Sequence, residues 1–98
     1  MYIVRDIFNL KYGHFRPVKA MMEEAIKMGM MPNDRNMRVL SDFTGDAYRF
    51  IIEFSFDSLS DYEKELNKDM SKPEFQEWYK KFIEHVDSGH REILKVIM

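Results

Sequence analysis

Along this 98-residue chain the hydrophobic period changes in the order strand, helix, strand, strand, helix, strand. Few folds accept that order. It fits a split β-α-β arrangement, in which a four-stranded antiparallel sheet carries helices on one face only. The face left bare needs cover, and a second copy of the chain supplies it most simply. The reading is one α+β domain over residues 1–98, with size and apolar content sufficient for a single core.

The strands are read from period-two alternation. Tyr2, Val4, Asp6, Phe8 and Leu10 share one face of the first strand, and Ile3, Arg5, Ile7 and Asn9 share the other. The first set holds more bulky apolar groups, so it is assigned to the helix side. Gly13 breaks the strand, and Pro17 suits the first helical turn, where its missing N–H costs nothing. Phe15, Val18, Met21, Met22, Ala25 and Ile26 then recur at helical spacing until Gly29 and Pro32. After the polar loop Pro32-Asn33-Asp34-Arg35, two strands are expected around a turn at Thr44-Gly45-Asp46. The second alternates most strictly, with Tyr48, Phe50, Ile52, Phe54 and Phe56 on one side.

The C-terminal third reads as two helices and a strand. Ser58 with Asp61, or Ser60 with Glu63, can open the first, which would bury Leu59, Tyr62 and Leu66. Ser71 and Glu74 have capping-box spacing, so a second helix is expected to start at Ser71 after a kink near Met70. Its stripe is Phe75, Trp78, Tyr79, Phe82 and Val86, with Ser88-Gly89 as its stop and a last strand over 91–97.

Composition narrows the function classes. There is no cysteine, which removes disulfides, thiolate catalysis and Cys-ligated metal. A formal charge of −2, with the signs interleaved, argues against nucleic acid, whose binding depends on Lys and Arg contacts to phosphate. No apolar run approaches the roughly 20 residues that span a bilayer, and the N-terminus alternates like a strand rather than a signal peptide, so a cytoplasmic location is expected. Only four glycines occur, and no P-loop, dinucleotide fingerprint or Ser/His/Asp arrangement is present. No cofactor or metal is expected. His85, Asp87 and His90 match no standard ligand spacing, and the cluster Met21, Met22, Met28, Met30 and Met31 reads as pliant apolar wall rather than copper site.

Two segments carry a family likeness. Leu10-Lys11-Tyr12-Gly13 stands at the first strand-to-helix junction, and Ser71-Lys72-Pro73-Glu74-Phe75-Gln76-Glu77-Trp78 precedes the last helix. With the element order, they make the chain resemble the dimeric α/β-barrel (ferredoxin-like) superfamily, in particular NIPSNAP-like and antibiotic-biosynthesis-monooxygenase-like domains. The resemblance implies a homodimer whose two sheets meet, with a ligand pocket between each sheet and its own helices. Haem-degrading members use an Asn on strand one, a Trp after strand three and a His on the last helix. The corresponding places here hold Asp6, Glu65 or Leu66, and Tyr79. Haem degradation is therefore not expected.

The candidate residues follow from these placements. Asp6 is a carboxylate among apolar neighbours, either raised in pKa for use as a base or salt-bridged. His85 shares the edge of the last helix with Trp78, and His14 lies at the mouth between strand one and helix one. Phe8, His14, Met22, Phe50, Trp78 and Tyr79 are the expected ligand walls. Arg5, Ile7, Asn9, Arg49, Ile51 and Glu53 form the mixed face expected to meet a partner, with Arg49 against the partner's Glu53 as a test pair. The leading expectation is a homodimeric small-molecule-binding protein for an apolar or aromatic ligand. The alternatives are a cofactor-independent monooxygenase or isomerase using Asp6 or His85 as base, and a structural dimer without ligand.

Overall fold

The structure, a computed structural model, describes residues 1–29, 37–45 and 48–98. Met30, Met31, the Pro32-to-Arg35 loop and Asp46 of the expected turn lie outside them. The described elements are β1 (Tyr2–Leu10), α1 (Phe15–Lys27), β2 (Arg38–Ser41), β3 (Arg49–Phe56), α2 (Leu59–Met70), α3 (Pro73–Ile83) and β4 (Val86–Lys95). They build one antiparallel sheet in the order β2-β3-β1-β4, with the helices on one face. This is the ferredoxin-like α+β arrangement. The sheet stays open and does not close into a barrel within the chain.

Alternation dictates the two faces as read. Val4, Phe8 and Leu10 of β1 and Phe50, Ile52 and Phe54 of β3 face the helices, and register pairs Phe8 with Phe50 and Asp6 with Ile52. Val18, Met22 and Ala25 of α1 and Trp78 and Phe82 of α3 complete the core. Trp78 stacks on Phe82 at 5.0 Å, and its indole Nε1–H donates to the Met21 carbonyl at 3.0 Å. That bond fixes α3 against α1.

Three expectations change. Ser71 does not open α3: it ends α2, and its hydroxyl donates to the Lys68 carbonyl. Pro73 is the first residue of α3 and holds the preceding Lys72 extended, so the cap position moves from Ser71 to Lys72. Leu59 is 46% exposed rather than buried; Ser58 caps α2 by accepting from the Asp61 N–H at 3.1 Å. The last helix stops at Ile83, and Val86 and Gly89 belong to β4 instead of the helix end. Gly89 pairs with Phe8 across the sheet, where an added Cβ would lie 3.0 Å from the Phe8 ring and 3.3 Å from the Ile7 carbonyl. The glycine serves close approach, not a turn.

On the open face Glu53 is buried beneath Arg5 and Arg38. Arg5 Nε donates to it at 2.8 Å and Arg38 Nε at 3.0 Å. Arg49 pairs with Asp42 at 2.8 Å. The charges expected to seek a partner, Arg49 and Glu53, are thus already matched within the chain. Ile7 and Ile51 lie side by side among them.

Candidate functional site

Between the sheet and the α2–α3 pair lies a cleft of about 780 Å³. Its floor comes from β1, β3 and β4, which place Phe8, Phe54 and Asp6 on the helix side. Its roof and walls come from Tyr62, Phe75, Trp78, Tyr79 and Phe82. The Phe8 ring meets the Phe82 ring edge-on at 4.9 Å, a geometry permitted by Gly89 beneath it. Tyr79 stacks with Phe75 at 6.0 Å and 20° and is 38% exposed, so its ring stands at the wall of the opening. A second hollow of about 440 Å³ is lined by Met1, Asp57, Asp61 and Lys64 with few apolar neighbours, and does not match the cleft as a site for an apolar body.

One polar cluster sits on the apolar floor. Register sets Arg91 of β4 directly opposite Asp6 of β1, and the guanidinium Nε donates to the carboxylate at 2.5 Å. The guanidinium carbon also lies 5.6 Å from the centre of the Tyr62 ring. The Tyr62 hydroxyl is buried and meets no partner at hydrogen-bonding geometry among the described residues. Burial pushes its phenol above the usual 10.0; the Arg91 charge opposes this and the Asp6 charge adds to it. Tyr62 is therefore a protonated donor at neutral pH. For Arg91 burial acts to lower the pKa, but the Asp6 carboxylate outweighs it and holds the guanidinium charged.

The expected site residues divide between three places. Asp6, Phe8, Trp78 and Tyr79 come together in the cleft. Met22 and Phe50 are buried under α1, away from it. His14 and His85 meet each other, Nδ1 to Nδ1 at 2.9 Å, joining the start of α1 to the turn before β4. His14 stands at the N-cap of α1, but its side chain makes no capping bond to the helix. Arg91 and Tyr62 were not singled out from sequence as polar site groups. Tyr62 reads there as an apolar helix position, and Arg91 emerges only once the β1–β4 register is known. Among the described residues no three His, Asp or Glu side chains gather as a metal site.

No protein-family model and no curated relative matches the chain. Solved structures do. A NIPSNAP family protein of unknown function from Agrobacterium tumefaciens superposes with a TM-score of 0.87 at 18% identity, covering 98% of this chain and 87% of that one. An uncharacterized NIPSNAP domain protein from Burkholderia xenovorans gives 0.87 at 10% identity, covering 98% and 94%. An antibiotic biosynthesis monooxygenase gives 0.72 at 12% identity over 100% of both chains. At such identities the likeness is one of fold, and in fold the resemblance read from sequence holds.

Proposed function

We propose that the chain is a homodimeric binding protein that holds an apolar, aromatic small molecule in the cleft between its sheet and the α2–α3 pair. The observation that carries this reading is the cleft itself. Aromatic rings line it on floor and roof, and a volume of about 780 Å³ suits a drug-sized ligand. A filled structural core would leave no such space. His85 gives no support to a reading as catalytic base in the cleft, since it does not line that cleft and faces a separate hollow beside Met21 and Glu84. Asp6 is already bonded to Arg91, which favours a recognition role over proton abstraction.

The test uses the chain's single tryptophan, which lies in the cleft wall. Titration with neutral N-phenyl-1-naphthylamine is expected to change Trp78 emission saturably, with one probe per chain. Tyr79→Ala should weaken binding about fivefold, as the loss of one aromatic contact worth ~1 kcal/mol would. A linear, unsaturable response would overturn the reading.

A further inference from the structure

The polar cluster on the cleft floor restricts what the ligand's head can be. Asp6 and Arg91 neutralise one another, and a single bond joins them, from Nε to Oδ1. That bond uses one Asp6 oxygen and leaves the second for a further contact, while the rest of the guanidinium lies against the Tyr62 phenol and interacts with it. The Asp6 side chain is 20% exposed and that of Arg91 42%, and both line the cleft. An acceptor and a donor of opposite charge therefore stand side by side on an apolar floor, with the unmatched Tyr62 hydroxyl against them.

A ligand anion drawn to Arg91 would come within a few ångströms of the Asp6 carboxylate and be repelled by it. A ligand cation drawn to Asp6 would lie against Arg91. Either would meet a like charge on the other member of the pair, and displacing that member would leave a partly buried charge without its partner. A neutral group with an N–H beside a C=O pulls nothing apart. Its N–H can donate to the free Asp6 oxygen while its carbonyl accepts from Arg91, two charge-assisted bonds made together. A small turn of the phenol would let Tyr62 donate to the same carbonyl.

Resting on the binding reading above, we infer that the cleft takes a neutral planar aromatic molecule bearing a carboxamide or lactam edge, rather than an organic acid or amine. Asp6 and Arg91 recognise the two halves of that edge, and the rings of Phe8, Trp78 and Tyr79 hold the body.

The experiment compares four ligands with one body by calorimetric titration at pH 7.5: naphthalene, 2-naphthamide, 2-naphthoate and 2-naphthylmethylammonium. The carboxamide is expected to bind about tenfold more tightly than each of the others. In the paired variant Asp6→Leu with Arg91→Met, which replaces the ion pair by apolar groups of similar size, naphthalene binding should persist and the carboxamide advantage should vanish. A circular dichroism spectrum like that of the parent establishes that this variant folds. Should it not fold, Arg91→Lys is the second variant, and it is expected to reduce the carboxamide advantage alone. Tightest binding of the naphthoate or of the ammonium would overturn the inference, as would equal binding of carboxamide and naphthalene. Failure of all four ligands, and of the neutral probe, would overturn the binding reading itself.

Discussion

Glu53 carries an ionised carboxylate on the sheet face that no helix covers, with only 3% of its side chain exposed. Burial alone would push its pKa up. The hydrogen bonds and charges of Arg38 and Arg5 outweigh that and hold it below the ordinary 4.5. A depressed folded pKa means the pair stabilises the fold above pH 4.5 and loses that contribution as pH falls through the lower, folded value. Glu53→Gln should therefore lower the unfolding free energy at pH 7 by about 1–2 kcal/mol, the modest end for charged hydrogen bonds because Arg38 is 64% exposed and partly screened. Urea titrations at pH 7 and pH 3 check this. The gap between parent and variant should shrink at the lower pH, and a gap independent of pH would contradict the assignment.

The helix boundaries show where local signals suffice and where they do not. Ser58 caps the start of α2 through a side-chain bond, whereas Ser71, the stronger motif on paper, closes the end of α2 and does not cap α3. Ser58→Ala should cost about 1 kcal/mol in thermal or urea unfolding, and Ser71→Ala less than about 0.5 kcal/mol. Equal losses would mean that Ser71 does cap α3. β1, β3 and the buried stripe of α1 were legible because alternation and 3.6-residue spacing are local properties of a segment. Phe8, Trp78 and Tyr79 were legible as helix-side aromatics for the same reason. The end of α3 was not. Ser88-Gly89 has the composition of a turn, and only the ring of Phe8 across the sheet shows why a glycine stands in a strand. Arg91 was hidden more deeply, since its meeting with Asp6 depends on a register set between residues 85 positions apart.

At the scale of the molecule, the uncovered sheet face is the largest consequence of the fold. Its charges are matched internally and Ile7 is already buried, which leaves the half-buried Ile51 as apolar surface a second copy would cover. The chain is expected to sediment as a dimer, and Ile51→Lys, which adds a charge at the centre of that face, should shift it to monomer while leaving the circular dichroism unchanged. A parent that sediments as a monomer would count against the homodimer. The strand order has a further consequence in time. β1 precedes the other three strands of the sheet in the chain, yet it lies inside the sheet, and one of its edges pairs with β4, Tyr2 opposite Lys95. During translation that edge must wait until β4 has left the ribosome. The sheet can be completed only afterwards, by a long-range search of the slow kind, with that edge of β1 unpaired until β4 arrives.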